Sequence, residues 1–238
     1  MLIFPMAGLS RRFLDAGFTV PKYELKVGDL NLFQQSLTGF ERYFKTDVFM
    51  FIYLKDVIHE DRIRLWCENM GLQQMLFVPL SGPTTGQAET VYRGLTELGN
   101  GYDEEPLIIF NIDTIYRDFR KPKSDCINFI DVTVMDGEHW SFIEVDPCQP
   151  NLVKNVEEKI RISDKCSVGL YGFENIKTFR LLYEKFFANH DASHEKYIAP
   201  MYRQLINDDI NVYYREFDKK KFEFLGTPQE YFDFVKKI

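Results

Sequence analysis

The first half of the chain alternates short apolar runs with segments whose apolar residues recur at helical spacing. Phe33, Leu37, Phe40 and Phe44 follow one another every three to four positions, as on the buried face of an amphipathic helix. The continuous apolar runs are typical of strands buried on both faces. From these patterns we predict strands at 2–4, 47–54, 74–80 and 106–111, and helices at 31–44, 58–70 and 86–98. Strands and helices that alternate in this way favour βαβ units and a mostly parallel sheet, and hence an α/β fold.

The pattern changes after residue 125, where short runs of alternating polar and apolar residues are separated by turns. These runs predict a strand-rich second half, followed by helices at 175–188 and 195–207 and a last helix that begins at Pro228. No Pro- or Ser-rich linker separates the two halves, so we expect residues 1–238 to form a single domain.

The composition argues against several classes of function. A net charge of -7 disfavours a nucleic-acid partner, because binding to a phosphate backbone needs clustered positive charge. No apolar run approaches the roughly 18 residues that a membrane span needs. The four cysteines form no CxxC pair and no signal peptide precedes them, which is typical of free thiols in a reducing compartment. We therefore expect a cytoplasmic protein. His190 and His194 have helical spacing but no other ligands beside them, so we expect no metal site there.

Three polar or Gly-rich segments follow directly after predicted strands, at 6–13, 81–86 and 111–114. In open α/β sheets, ligands bind beyond the carboxyl ends of the strands. In the first segment the residues are small, so that backbone N–H groups could approach an anion closely, and Arg12 could reach a phosphate chain with its planar fork of donors. The alternative is a tight turn that carries two solvated arginines.

Asp113 lies at the end of the buried run 106–111, where a carboxylate is costly unless it is paired or bound to a cation. Magnesium is commonly held by one or two carboxylates together with substrate phosphates. Lys22 follows Pro21 and could supply a second positive charge beside Arg12. A helix N-cap for Asp113 and a solubilising surface charge for Lys22 are the simpler alternatives.

Two further segments have both a functional and a structural interpretation. Glu158 and Lys159 end the short run LVKNV; a salt-bridged strand end is the alternative, which we favour for the neighbouring Glu157. The loop at Gly86 could read the edge of a base with backbone groups, or it could simply begin a capped helix.

Taken together, these segments resemble the sugar nucleotidyltransferase family. The motifs occur in the family's order and with similar spacing over nearly the whole chain: LIFPMAGLSRRF followed by PK, then TTGQAETV, FNID, VEEKIRIS, SVGLYGFE and FLGTPQEY. The chain is most similar to the shorter members that begin with a PMAG-type loop and are often associated with capsule or lipopolysaccharide biosynthesis. The resemblance implies a Rossmann-like, GT-A-type fold with a mixed, mostly parallel central sheet flanked by helices. It also implies a nucleotide-binding half at 1–120 and an acceptor-binding half at 121–238.

The resemblance assigns roles to individual residues. Ala7, Gly8, Leu9 and Ser10 match the nucleotide loop, and Gly86 and Gln87 match the base-recognition segment. The catalytic positions are matched by Arg12 on the triphosphate, Lys22 on phosphate, Asp113 on Mg²⁺ and Lys159 on the acceptor's phosphate. Glu158, Lys159 and Gly169 match the acceptor site. The expected ligands are a nucleoside triphosphate and a small phosphorylated acceptor, and a homo-oligomer is compatible with the resemblance.

Two positions depart from the family pattern. Family loops read Gly-x-Gly-Ser/Thr-Arg, but here Ser10 replaces the second glycine and Arg11 the hydroxyl residue. We expect an extended loop in which Arg12 points into the site and Arg11 points outward. In the C-terminal motif Phe224 stands where the family often has an aspartate, so we expect no second protein-held metal there.

The implied reaction needs no nucleophile activation, because an acceptor phosphate, whose second pKa is about 6, is already anionic at neutral pH. Catalysis would rest on positioning and charge stabilisation. The acceptor is expected to be a sugar 1-phosphate, with phosphocholine, a phosphonate or a phosphorylated amino-acid amide in a CTP-dependent reaction as the alternative. A glycosyltransferase and a catalytically weak nucleotide-binding homologue are further alternatives, the second motivated by Ser10 and Phe224.

Overall fold

The described residues are 1–123, 126–188 and 194–237, and they form a mixed α/β structure. In this computed structural model the strands are β1 (Leu2–Met6), β2 (Lys26–Val27), β3 (Leu30–Asn31), β4 (Val48–Leu54), β5 (Gln74–Leu80), β6 (Leu107–Phe110), β7 (Thr114–Tyr116), β8 (Phe129–Val134), β9 (Ser141–Val145), β10 (Val153–Glu158), β11 (Lys165–Phe173), β12 (Tyr213–Glu216) and β13 (Phe222–Phe224). The α-helices are α1 (Arg11–Asp15), α2 (Leu32–Thr38), α3 (Glu60–Asn69), α4 (Gln87–Leu98), α5 (Ile176–Phe187), α6 (Tyr202–Asn207) and α7 (Pro228–Val235). His190 lies outside the described residues.

The apolar runs of the first half form the parallel part of the central sheet. Strand β1 lies between β4 and β6, and β5 follows β4, with all of these pairs parallel. The second half adds β11 antiparallel to β6, and β8 and β9 pair with β11 in turn. The strand order across the described sheet is β10-β9-β11-β6-β1-β4-β5, with β12 joined through β8. The predicted fold class, a mixed α/β sheet flanked by helices, is therefore confirmed.

One sheet runs through both halves of the chain, because β11 of the second half is hydrogen-bonded to β6 of the first. On one face the sheet is covered by a core rich in phenylalanine, in which the ring of Phe4 contacts Phe40, Phe49, Phe51 and Phe110. The assignment of nucleotide binding to 1–120 and of acceptor binding to 121–238 stays a prediction.

Several helices are shorter than their apolar spacing predicts. The segment 31–44 begins at Asn31 with a capping box, but the α-helix ends at Thr38 and a 3₁₀ turn covers 41–43. The segment 195–207 is irregular until the 3₁₀ turn at 199–201 leads into α6. None of the described helices is both long and apolar enough to cross a membrane.

Candidate active site

The loops that follow β1 and β6 lie together at the carboxyl edge of the sheet, because the two strands are parallel neighbours. The ammonium of Lys22 forms an ion pair with the carboxylate of Asp113, and both side chains are about one-fifth exposed. The backbone N–H of Lys22 donates to Ser10 Oγ over 3.2 Å. The structure thus brings the end of the loop 7–10 and Lys22 together with Asp113, which lies 91 residues after Lys22 in the sequence.

Ser10 adopts a left-handed backbone conformation, with φ at 51° and ψ at 31°. An L-residue pays roughly 1–2 kcal/mol for this conformation, whereas glycine enters it freely. Ser10 therefore adopts a backbone conformation that favours glycine, the residue that the family pattern has at this position. Its hydroxyl also accepts the Lys22 N–H, a contact that glycine could not make.

The extended conformation that we expected for the two arginines is wrong. Arg11 and Arg12 are the first residues of α1, which begins because the N–H groups of Phe13 and Leu14 both donate to the Ser10 carbonyl oxygen. Successive helical residues differ by about 100° in direction rather than by 180°. Both arginines are exposed, and neither has an ion-pair partner within the part of the chain that the structure describes.

The predicted base-recognition segment lies at the start of α4. Gly86 precedes the helix, and a Cβ there would lie 2.6 Å from the backbone nitrogen of Lys196, so this position needs glycine for close approach. The side-chain amide of Gln87 donates to Asn111 Oδ1. The backbone N–H of Asn111 in turn donates to the carbonyl oxygen of Gly169 over 3.0 Å.

Asn111 is a site residue that the sequence interpretation missed. It lies two positions before Asp113 and links the predicted base segment, through Gln87, with the predicted acceptor residue Gly169. Gly169 has φ at 79°, and a Cβ there would lie 2.6 Å from the Asn111 Cγ. The only signal in the sequence was an amide at the end of a buried strand.

Glu158 and Lys159 lie at the end of β10 with their side chains in different surroundings. The hydroxyl of Ser141 donates to Glu158, and burial raises the pKa of this carboxyl above its ordinary value. Lys159 has φ at 58°, and its N–H donates to the Trp140 carbonyl oxygen over 2.9 Å. The preceding Glu157 accepts two hydrogen bonds from Arg203, at 3.1 and 3.0 Å, which confirms the salt-bridged interpretation of that residue.

The ammonium of Lys159 faces two residues of a later segment. It donates to the hydroxyl of Tyr197 and lies 3.7 Å from the carboxylate of Glu195. The Tyr197 hydroxyl donates to the same carboxylate. Burial and this hydrogen bond raise the pKa of Tyr197, while the guanidinium of Arg12 partly opposes the increase. The charge of Arg12 therefore acts on the same region as Lys159.

The site around Asp113 can accommodate a cation that phosphates help to hold. A single half-buried carboxylate combined with phosphate oxygens is a common magnesium arrangement. The ring of Phe224 packs against Trp140 with centroids 4.7 Å apart, and Glu223 forms an ion pair with Arg117 at 3.1 Å. Among the described residues, no group of three or more His, Cys, Asp or Glu side chains is arranged to hold a metal ion.

Comparison with solved structures identifies the family. The chain is similar to a nucleoside-diphosphate-sugar pyrophosphorylase from Vibrio cholerae, with 34% identity, a TM-score of 0.94 and coverage of 99% of this chain and 100% of that one. A putative glucose-1-phosphate thymidylyltransferase from Bacillus anthracis matches at 16% identity with a TM-score of 0.74, covering 99% of this chain and 93% of that one. The inositol-1-phosphate CTP transferase from T. maritima matches at 12% identity with a TM-score of 0.73, covering 99% of this chain and 94% of that one.

The two more distant structures support the fold, and the Vibrio cholerae protein supports the family, since it is aligned along the full length of both chains. No protein-family model and no curated protein matches the sequence. The expected resemblance is therefore confirmed by structure: the chain belongs to the sugar nucleotidyltransferase, or nucleoside-diphosphate-sugar pyrophosphorylase, family and is an enzyme of the nucleotidyltransferase class.

Proposed function

We propose that this enzyme joins a nucleoside triphosphate to a sugar 1-phosphate, giving an NDP-sugar and pyrophosphate. The observation that carries the proposal is the Lys22–Asp113 ion pair beside the loop 7–10, at the carboxyl edge of β1 and β6. This arrangement supplies backbone N–H groups, an ammonium and a carboxylate at one place. Those are the groups needed to hold a triphosphate and its counter-cation.

In this reaction an oxygen of the acceptor phosphate attacks the α-phosphorus of the nucleotide. The new P–O bond forms as the bond between the α-phosphorus and the bridging oxygen breaks, and pyrophosphate leaves with that electron pair. No proton has to be removed, because the attacking phosphate is anionic near neutral pH. The protein's task is to align the two phosphates and to stabilise the charge that develops.

We assign the nucleotide's phosphates to the loop Ala7, Gly8, Leu9 and Ser10, together with Arg12 and Lys22. Lys22 is anchored on both sides, through its N–H to Ser10 and its ammonium to Asp113, so its charge is held at a defined place without a ligand. The predicted base segment, Gly86 and Gln87, contacts Asn111 through the side-chain amide of Gln87. A base bound there would find the amide of Gln87 already oriented by its bond to Asn111.

We assign the acceptor to Glu158, Lys159 and Gly169. Glu158 is partly buried and hydrogen-bonded by Ser141, which suits a carboxylate that receives sugar hydroxyls. Lys159 offers an ammonium with half of its side chain exposed, as an incoming phosphate requires. Trp140 connects the two sides, because its carbonyl oxygen accepts from Lys159 while its ring packs on Phe224.

A magnesium ion fits at Asp113, and when bound it would neutralise phosphate charge. Asp113 is the one protein carboxylate that we assign to it, because Phe224 replaces the family's second carboxylate and Arg117 holds Glu223. Glu223→Gln should therefore leave turnover within about twofold of the wild-type value, because it removes only a partly exposed ion pair with Arg117. A structure with nucleotide and magnesium in which Glu223 binds the metal directly would contradict this assignment.

A screen for pyrophosphate release tests the function. Each of the common nucleoside triphosphates is combined with sugar 1-phosphates, phosphocholine, a phosphonate and a phosphorylated amino-acid amide. Turnover with a sugar 1-phosphate supports the proposal, and turnover only with CTP and a non-sugar acceptor supports the alternative. Release of nucleoside diphosphate instead of pyrophosphate would identify a glycosyltransferase, and nucleotide binding without turnover would favour a non-catalytic homologue.

We also propose, from the resemblance to the short PMAG-loop members, that the product serves capsule or lipopolysaccharide biosynthesis in the cytoplasm. Deletion of the gene in its host should then remove or alter a surface polysaccharide. An unchanged surface polysaccharide in the deletion strain would refute this part of the proposal without affecting the reaction.

A further inference from the structure

Lys159, Tyr197 and Glu195 form a cluster of mutual polar contacts at the predicted acceptor side. The ammonium of Lys159 donates to the hydroxyl of Tyr197, and that hydroxyl donates to the carboxylate of Glu195. The same ammonium lies 4.6 Å from the centre of the Tyr197 ring, which is a cation–π distance. Lys159 and Tyr197 are 38 residues apart, so this arrangement is a product of the tertiary fold.

The residue between Glu195 and Tyr197 is tied to the nucleotide side by its backbone. The N–H of Lys196 donates to the Thr85 carbonyl oxygen over 3.1 Å, and its carbonyl oxygen accepts from Ala88 over 2.9 Å. These two bonds enclose Gly86, whose missing Cβ is what allows the backbones to approach. Residues 195–197, here called the strap, therefore connect the predicted base segment with the predicted acceptor lysine.

The side chain of Lys196 fixes the strap from the other face. Its ammonium donates to the Tyr183 hydroxyl over 3.1 Å and lies over the rings of Tyr183 and Phe187, at 5.4 and 5.6 Å. With the middle residue held by two backbone bonds and by α5, its neighbours project toward Lys159 from a fixed base.

We propose that Tyr197 is a positioning residue for the acceptor: it holds the Lys159 ammonium at the place where a dianionic phosphate monoester binds. Tyr197 keeps the ammonium oriented through its hydroxyl and ring. Glu195 is the counter-ion that an incoming phosphate replaces. This inference rests on the proposed function, because it takes Lys159 to be the residue that meets the acceptor's phosphate.

The opposite roles of the two residues give opposite kinetic signatures. Glu195→Gln removes the carboxylate that competes with the acceptor, so KM for the acceptor should fall, by about two- to fivefold for an exposed ion pair. Tyr197→Phe removes the hydroxyl's hydrogen bonds to Lys159 and Glu195 but keeps the ring, so KM for the acceptor should rise by a similar factor while KM for the nucleotide stays unchanged. A merely structural role would lower the stability of both variants without separating the two KM values.

The chain offers a matched control for each variant. Lys154 and Glu144 form an exposed ion pair of 2.8 Å on the same β9–β10 hairpin, so Glu144→Gln controls for loss of a carboxylate. Tyr214 donates its hydroxyl to the Pro150 carbonyl oxygen over 2.9 Å, so Tyr214→Phe controls for loss of a phenolic hydroxyl. Both control variants should leave the KM for the acceptor unchanged.

Two measurements are made on the full chain. The first is pyrophosphate release with glucose 1-phosphate, or with whichever acceptor turns over in the screen above. The second, which needs no substrate, is the rate at which acetic anhydride modifies Lys159, read by mass spectrometry. We expect Lys159 to be modified about two- to fivefold faster in Glu195→Gln and Tyr197→Phe than in the wild type.

The outcomes separate this inference from the proposed function. If no acceptor turns over but Lys159 is modified faster in both variants, the proposed function fails and the placement of Lys159 by the strap stands. If the wild type turns over and both variants match it in acceptor KM and in Lys159 modification, the strap does not position Lys159 and the inference is overturned. Changes of the same size in Glu144→Gln or Tyr214→Phe would overturn it too.

Discussion

Asp113→Asn separates the charge of the predicted magnesium site from its shape. The asparagine keeps the volume of the side chain but removes the negative charge that Lys22 contacts at the edge of the sheet. Loss of a preorganised charge-stabilising group costs on the order of 100- to 1000-fold in turnover, or about 3–4 kcal/mol of activation free energy. We therefore expect a loss of this size, together with a higher magnesium concentration for half-maximal turnover.

The same change also affects stability, and the structure allows the two effects to be distinguished. Both partners of the Lys22–Asp113 pair are about one-fifth exposed. Disruption of a fully buried pair costs about 3–5 kcal/mol, whereas a surface pair is worth about 0–1 kcal/mol, and this pair lies between the two classes. We expect a loss of about 1–2 kcal/mol in the free energy of unfolding, because the ammonium loses its partner. Asp113→Asn combined with Lys22→Met removes that unpaired charge, so the double variant should recover stability but not turnover.

The assay is pyrophosphate release over a range of magnesium concentrations, combined with urea unfolding of the same samples. Asp118→Asn is the matched control, since Asp118 is an exposed aspartate that forms ion pairs with Arg42 and Arg120. The control should keep both turnover and stability. Near-normal turnover of Asp113→Asn at limiting magnesium would refute the assignment, and recovery of turnover in the double variant would show that the loss came from misfolding.

Three further predictions concern other parts of the molecule. Arg12→Ala should reduce turnover at least about tenfold, as loss of a charge-assisted phosphate contact does, and Arg11→Ala by less than about threefold, as for a solvated charge; equal losses would refute the assignment. Lys159→Ala should raise KM for the acceptor far more than it weakens nucleotide binding, and calorimetry that showed the reverse would exchange the roles. Burial raises the pKa of Asp131 to about 6, above its unfolded value of about 3.9, so this group's contribution to stability declines as pH rises from about 4 through 6. Arg215→Met leaves the same carboxylate buried and unpaired, so we expect a loss of about 3–5 kcal/mol by urea unfolding at pH 8 and a smaller one at pH 5, and equal losses would contradict this.

The sequence allowed the four parallel strands β1, β4, β5 and β6 to be predicted because each contains an apolar run of ordinary strand length. The predicted strand 106–111 appears as Leu107–Phe110, and all four strand residues are fully or almost fully buried. Asp113 could be placed at the edge of the sheet for the same reason, since the end of a buried strand is marked by the first polar residues. The longer helices were also accessible from apolar spacing, but the short helix α1 was not, and neither was the end of α2, where a 3₁₀ turn replaces the predicted continuation.

The contacts that build the site were not accessible in this way. Nothing local distinguishes Tyr197 from the other tyrosines, and its role beside Lys159 depends on how the backbone of Lys196 pairs with Thr85 and Ala88. The left-handed conformation of Ser10 could not be predicted either, because the residue type itself gives no indication of it. A serine at this position gives no sign of positive φ, whereas a glycine would have indicated one.

The two halves of the candidate site meet at two glycines against which other residues pack closely, and this limits which substitutions the enzyme can accept. Gly86 must lack a Cβ because the Lys196 backbone lies against it. Gly169 must lack one because the side chain of Asn111 lies against it. Asn111 is in turn bonded to Gln87 and to Gly169, so that the residues we assign to the nucleotide and to the acceptor are linked through Asn111. A graft of the acceptor residues from a relative would therefore have to carry the strap and its glycine along with Glu158 and Lys159. If Glu158 and Lys159 bind the acceptor as we propose, the acceptor specificity of this chain depends on the contact between the halves and not on the second half alone.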